Sequence, residues 1–171
     1  MTELDPRVDP PTTADEAATL IAFLDYHRDT LARKCEGLTD DQLRLRSAPP
    51  SKLSLLGLVR HMADVEQHWF RSMLPGREIT AWHFWTDESE DGDFDGVDTA
   101  DVAADFATWR AEVEAARRAT AGLPLDTVAK KLRHGEPVTL RWILTHMIEE
   151  YARHNGHADL LRELIDGSTG E

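Results

Sequence analysis

Cysteine is almost absent from this sequence, and long apolar runs are missing altogether. The only cysteine, Cys35, excludes an intramolecular disulfide and is compatible with a reducing compartment. Because it lies near the end of a predicted helix, a buried spectator thiol is a simpler interpretation than a nucleophile. No stretch approaches the roughly 20 apolar residues of a membrane span, and the acidic, proline-rich N-terminus has no signal-peptide core. These absences predict a soluble cytoplasmic protein.

Positive charge is also scarce. The 171 residues include 19 lysines and arginines against 32 aspartates and glutamates, which gives a formal net charge of −13. A surface this acidic argues against nucleic acid and against an anionic membrane as partners. The length suffices for one domain with a substantial core. We therefore expect a flexible N-terminal tail over residues 1–12 and a single domain over residues 13–167.

Four long amphipathic segments dominate the chain. Capping signals and apolar spacing predict helices over about residues 13–36, 52–74, 99–122 and 140–165. Capping boxes are predicted at Thr13–Glu16 and, for a short helical turn, at Thr39–Gln42. Thr139 should cap the last helix and Gly167 should end it. This pattern predicts an all-α fold, an antiparallel four-helix bundle with a long crossover connection.

The predicted crossover, residues 75–98, is unusually long for a compact domain and is therefore a candidate functional segment. Its first half carries Trp82 and Trp85, which either cover an apolar cavity or anchor the connection to the core. Its second half, residues 86–96, alternates aspartates around a glycine, as calcium loops do. It lacks the glutamate at the twelfth position of such loops, so a solvated acidic loop is predicted.

The last helix places polar groups where its apolar stripe should be. With Ile143 at zero on a helical wheel, Glu150 lies near −20° and His154 near 20°, at about 100° per residue. A buried, unpaired carboxylate would cost several kcal/mol. Compensation could come from an arginine of a neighbouring helix, or from a divalent metal bound by carboxylate and imidazole ligands of facing helices.

A third metal ligand would have to come from another helix. His61, at the flank of the second helix's apolar stripe, is the best candidate, although a flanking histidine can also be a solvated or capped side chain. His68 is the alternative ligand from that helix. His157, one turn beyond His154, is compatible with a fourth ligand, a general base, a partner of another ligand or a hydrogen-bonded histidine at the core edge.

Two helical segments, "LLGLVRHMADVEQHWF" and "HMIEEYARHNGHADLLREL", resemble the DinB/YfiT-like superfamily, in particular its small single-domain members found mainly in actinobacteria. The resemblance spans nearly the whole chain and implies a four-helix bundle with a long crossover. It also implies a metal site with one histidine from the second helix and a His-x3-His pair from the last. His61 and His154 match the outer positions, whereas Glu150 replaces the middle histidine.

The glutamate has a precedent in the superfamily. The metal-binding domain of mycothiol-dependent maleylpyruvate isomerase is similar in using His, Glu and His. That enzyme carries a further C-terminal domain for which this chain is too short, so its isomerase activity is not implied. The resemblance does imply a divalent metal on His61, Glu150 and His154 with one open position. Zn²⁺ is the favoured ion, and Ni²⁺, Mn²⁺ or Fe²⁺ are alternatives.

The resemblance favours a metal-dependent transferase that activates a low-molecular-weight thiol, of the mycothiol or bacillithiol type, towards an electrophilic substrate. His157 is then the candidate catalytic residue, while Trp82 and Trp85 are candidates for substrate binding. Two other functions stay open, a non-catalytic metal-binding or structural bundle and a metal-dependent hydrolase, so the sequence alone does not decide whether the protein is an enzyme. A homodimer is possible, because superfamily members often pair through bundle faces.

Overall fold

The computed structural model describes residues 7–87 and 89–170, and this part of the chain is all-helical. The helices are α1 (Glu16–Cys35), α2 (Asp40–Arg44), α3 (Leu55–Glu66), a π-helix (Gln67–Met73), α4 (Gly92–Asp95), a 3-10 turn (Gly96–Thr99), α5 (Val102–Thr120) and α6 (Leu140–Asp166). The described residues contain isolated β-bridges but no strand. None of their helices is long and apolar enough to cross a membrane. Residues 1–6 of the predicted tail lie outside the described range. The division of the chain into a tail over residues 1–12 and a single domain over residues 13–167 stays a prediction.

A side-chain cap begins α1, α2, α3, α5 and α6. The capping box predicted at Thr39 is present, because its hydroxyl accepts the N–H of Gln42 and the Gln42 side chain accepts the N–H of Thr39. At α6, Thr139 is the N-cap as predicted. The helix ends at Gly167, whose φ of 76° is a left-handed conformation that suits glycine.

The capping box predicted at Thr13 is wrong. Asp15 is the N-cap of α1, and its carboxylate accepts the N–H of Ala18 at 2.8 Å. Aspartate caps a helix as well as threonine does, and its negative charge is favourable at the helix N-terminus. Glu16 therefore becomes the first helical residue and forms an ion pair with Arg141 of α6 instead.

The predicted second helix is divided. α3 runs straight into the π-helix at Gln67, which changes the directions of the side chains that follow, because a π-helix has more residues per turn. The apolar stripe predicted from the sequence is nonetheless on the inside: its buried members are Leu55, Leu58, Met62, Trp69 and Met73. The long connection after it is not a plain loop, since it contains α4 and the 3-10 turn.

A buried hydrogen-bond chain links the four long helices. The Trp109 indole of α5 donates to the Tyr151 hydroxyl of α6 at 2.9 Å, and that hydroxyl donates to the Glu66 carboxylate of α3 at 2.9 Å. The Arg28 guanidinium of α1 donates two further bonds to Glu66, both at 2.8 Å. All four side chains are buried. One continuous core therefore lies between α1, α3, α5 and α6.

Candidate metal centre

His61, Glu150 and His154 lie together, as predicted. Each offers a ligand atom, and these atoms lie within 4.8 Å of one another. The Nε2 atom of His154 is 3.6 Å from a Glu150 carboxylate oxygen, and the imidazole rings of His61 and His154 are 4.7 Å apart between centroids. Contacts between α3 and α6 bring the three side chains to one place.

The position of Glu150 on α6 differs from the prediction. Glu150 and His154 are half-buried and lie at the edge of the apolar face, whose middle is formed by Ile143, Met147 and Tyr151. The middle of that face packs inward, where the Tyr151 hydroxyl donates to a carboxylate of α3, whereas Glu150 at the edge lines a cavity. At this edge a carboxylate remains accessible to a ligand without full exposure to water.

No arginine or lysine of the described residues forms an ion pair with Glu150. Its nearest charged or titratable partners are histidines, with the Nε2 atoms of His146 at 3.4 Å and His154 at 3.6 Å. An imidazole lacks the permanent positive charge with which a guanidinium or ammonium group compensates a carboxylate. Of the two compensations considered from the sequence, an arginine of a neighbouring helix is therefore absent in the described residues.

Asp93 orients His61. The Nδ1 atom of His61 lies 2.8 Å from Asp93 Oδ2, and because a carboxylate only accepts, Nδ1 carries the proton. The lone pair is then on Nε2, the atom left to face the cluster. The Phe94 ring stacks on the His61 ring at 5.5 Å. A histidine whose second nitrogen donates to a carboxylate is the usual arrangement of a metal-bound histidine.

The solvated acidic loop predicted for residues 86–96 is wrong at Asp93, which is buried. Arg60 of α3 draws the loop inward by donating hydrogen bonds to the backbone carbonyls of Gly92 and Asp93, both at 2.9 Å. Gly92 is required there, because a Cβ atom would lie 2.2 Å from the carbonyl oxygen of Phe84. Asp93 was missed because neighbouring acidic residues conceal which one is buried.

His154 is neutral at physiological pH. Burial, followed by the neighbouring imidazoles of His61 and His157, lowers the pKa of His154 to about 4. Its Nδ1 atom lies 3.4 Å from the Nδ1 atom of His157, so one of these nitrogens donates to the other. Neutral imidazole is the form that binds metal.

A second group of possible ligands shares Glu150. It consists of His146, Glu149 and Glu150, with His146 Nδ1 3.2 Å from a Glu149 oxygen. Glu149 is already paired with Arg153, and the His146 ring stacks on Trp142 at 4.9 Å. These contacts indicate that His146 is a packing residue at the rim of the site. His146 is therefore a useful control residue in tests of the first group.

An open cavity of about 510 Å³ adjoins the cluster. His61 and Glu150 form part of its wall, and Trp82 and Trp85 form another part, together with His68. Of the two interpretations of the aromatic segment, the structure therefore shows side chains that line a cavity. The π-helix carries His68 to this wall, where its ring stacks on Trp82 at 5.7 Å.

Cys35 is far less reactive than an ordinary thiol. Its side chain is buried, and burial raises the pKa of the Cys35 thiol to about 12. Since the thiolate is the nucleophilic form, a thiol reaction at this site would need a thiol from outside the chain.

These features define an all-α protein with a two-histidine, one-carboxylate cluster, of which His61 and Glu150 line an open cavity. The sequence model of the mycothiol-S-transferase family matches residues 19–167, and the chain belongs to that family, which confirms the resemblance to the DinB/YfiT-like proteins. A comparison with curated proteins gives no match. The crystal structure of a conserved protein from Enterococcus faecalis is similar, with a TM-score of 0.61 and 20% identity over 91% of this chain and 100% of that one, and shares its fold.

Proposed function

We propose that this protein is a divalent-metal-dependent transferase that activates a small thiol of the mycothiol type for attack on an electrophile. The family suggests a mycothiol-related transferase, and the candidate ligand groups suggest a divalent metal. The observation that carries the proposal is that His61 and Glu150 belong both to the ligand cluster and to the cavity wall. A metal held there would be reachable by two substrates at once.

The donor set fits a divalent transition metal. Two neutral imidazoles and one carboxylate are ligands of catalytic zinc sites, which leave a fourth position open. Nε2 of His61 is free because Nδ1 is held by Asp93, and Nε2 of His154 faces Glu150. When bound, the metal would lower the pKa of a coordinated thiol and so supply thiolate at neutral pH. Zn²⁺ is the proposed ion, with Ni²⁺, Mn²⁺ or Fe²⁺ as alternatives.

Both proposed histidine ligands have a supporting contact. Asp93 fixes the tautomer and orientation of His61, and His157 can accept a hydrogen bond from Nδ1 of His154. Glu150 contributes the negative charge that neutral histidines lack. The catalytic role of His157 stays a prediction, and its contact with His154 favours a positioning role instead.

The overall arrangement suits this function. We propose that α1, α3, α5 and α6 form the DinB-like antiparallel four-helix bundle, with residues 75–98 as its crossover. The buried chain from Trp109 to Arg28 supports this, because it takes one residue from each helix. The crossover then supplies Asp93 to the metal ligands and Trp82 and Trp85 to the cavity. A homodimer stays a prediction.

A thiol-transfer assay tests the proposal. Metal-loaded protein is mixed with mycothiol and monobromobimane, so that the sulfur forms a bond to carbon while bromide leaves and the thiol proton passes to solvent. We expect conjugate formation well above the uncatalysed rate and a loss of about 100-fold or more in His61→Ala, since removing a ligand removes the activated thiol. Full activity in His61→Ala, or none in metal-replete protein with any of a panel of electrophiles, would contradict it.

Further properties of the same protein distinguish the proposed transferase from the two alternative functions. A hydrolase would cleave activated esters without added thiol, because zinc-bound hydroxide is its nucleophile. A structural metal would need a closed four-ligand site, with His157 or His68 as the fourth ligand. The cavity beside Glu150 favours the open site.

A further inference from the structure

The cavity beside the cluster has an unusual combination of walls. Aromatic rings form a continuous surface on one side: His68 meets Trp69 at 5.1 Å and Trp82 at 5.7 Å, and Trp82 meets Trp85 at 6.1 Å between centroids. All four of these residues line the cavity. Burial, then the charges of Lys131 and His146, lowers the pKa of His68, so that its ring is neutral and does not repel a cation.

The charged residues of the same lining are all acidic. Asp64, Glu90, Asp93 and Glu150 line the cavity, and no lysine or arginine does so among the described residues. A divalent ion on the proposed ligands would offset two of these four negative charges. Asp93 already faces His61, whereas Glu90 forms no ion pair with any other described residue. The cavity therefore keeps a net negative lining even with the metal in place.

The aromatic wall is also fixed in position. The Asp64 carboxylate of α3 accepts the backbone N–H groups of His83, Phe84 and Trp85 at 2.9, 3.2 and 3.0 Å. This triple contact holds the segment that presents Trp82 and Trp85, so a ligand meets these indoles without first ordering the chain. A rigid wall reduces the entropy cost of binding.

We propose that this cavity binds an organic cation, with its ammonium group on the indole faces of Trp82 and Trp85 and close to Glu90. Aromatic faces attract quaternary ammonium groups through the negative charge of their π systems, and the acidic lining adds to that attraction while repelling anions. The interpretation of this cation as the electrophilic cosubstrate rests on the proposed function, whereas the binding of the cation does not.

Isothermal titration with choline and its neutral isostere, 3,3-dimethylbutan-1-ol, tests the proposal on the metal-loaded full-length chain. The two probes share shape and hydroxyl group and differ in charge. We expect choline to bind at least about tenfold more tightly, a difference within the range of a desolvated cation–π contact. Equal affinities, no detectable binding of choline, or tighter binding of the anion 3,3-dimethylbutyrate would each overturn it.

Two substitutions place the cation. Trp85→Leu and Glu90→Gln should each weaken choline binding by about fivefold or more and leave the weak binding of the alcohol unchanged. Trp142→Leu is the matched control, because Trp142 and Trp85 are both 37% exposed and Trp142 lies outside the lining. Glu136→Gln, at an exposed carboxylate outside the lining, controls for charge. Equal losses in test and control variants would refute the assignment.

The outcome of the choline titration does not depend on the outcome of the thiol-transfer assay. Choline binding in a protein that fails the mycothiol assay would leave the cation site standing and remove only its interpretation as a cosubstrate site. Thiol transfer without choline binding would leave the proposed function standing and remove the cation site. Circular dichroism of each variant confirms that a lost affinity is not a lost fold.

Discussion

Asp93 shows how a single side chain outside the proposed ligand set can prepare one of its members. It accepts the Nδ1 proton of His61 and is itself buried, so the imidazole has one tautomer and one orientation before any metal arrives. Carboxylates in this position raise the basicity of the histidine ligand as well. Orientation and basicity both favour a bound cation.

Asp93→Asn should therefore weaken metal affinity by about 10-fold or more, the usual effect of losing such a partner. Asp91→Asn is the control, because it removes one negative charge from the same segment at an exposed residue. The dissociation constant for Zn²⁺, measured by competition with a chromogenic chelator, distinguishes the two. Equal affinities in both variants would show that Asp93 acts only through its charge or not at all.

The grouping of the three proposed ligands was predictable at this scale, whereas the contact of His61 with Asp93 was not. The residues His61, Glu150 and His154 follow from helical periodicity together with the family resemblance, because side chains at fixed spacing on a helix share a face. Asp93 lies in an acidic segment with several similar neighbours. Which aspartate is buried depends on Arg60 binding the backbone at Gly92, a long-range contact that local sequence does not encode.

Glu66 is the central member of the buried chain that joins the long helices. It accepts two hydrogen bonds from Arg28 and one from Tyr151, and its side chain has no exposed surface. Burial raises the pKa of the Tyr151 phenol well above its ordinary value, and the Glu66 carboxylate adds to this effect. The hydroxyl therefore stays protonated and donates to the carboxylate.

Glu66→Ala should lower the free energy of unfolding by about 3–5 kcal/mol, because the buried Arg28 guanidinium loses its buried carboxylate and keeps only the half-buried Asp25. Urea unfolding followed by circular dichroism measures the change. Glu16→Ala is the control, since Glu16 also contacts an arginine through two bonds, those to Arg141, but at the surface. A loss at Glu66 no greater than that at Glu16 would mean that the chain does not hold the helices together.

Helix positions were more predictable than helix type. Caps such as Thr39, Thr139 and Gly167 act through neighbours in sequence, so they can be recognised without tertiary information. The π-helix over Gln67–Met73 could not be recognised, because its apolar spacing also fits an α-helix. Tertiary packing selects it, and with it the direction of His68 into the cavity.

Metal binding should also stabilise the molecule as a whole. The proposed ligands come from α3 and α6, so a bound ion would join two of the long helices. Because the unfolded chain does not keep His61 and Glu150 close together, the ion binds the folded state selectively. The apolar core does not depend on it, since the ligands lie at the edge of the core.

Adding Zn²⁺ at about 100 times its dissociation constant should raise the melting temperature by about 5–10 °C, which corresponds to roughly 2.7 kcal/mol for a domain of this size. Removing the ion with a chelator should reverse the rise and leave the helical circular dichroism signal at 20–25 °C nearly unchanged. Glu150→Ala provides the control and should show no rise. A similar rise in Glu150→Ala would point to other ligands.

The most direct test of the central claim is the metal content of protein purified without a metal-affinity tag. We expect about one divalent ion per chain in the natural sequence and in His146→Ala, and a loss of most of it in His154→Ala. Both histidines lie on α6 and both lie near Glu150, at 3.4 and 3.6 Å, but only His154 belongs to the proposed site. Full occupancy in His154→Ala, loss in His146→Ala, or no metal in any of the three proteins after zinc is added would contradict the account.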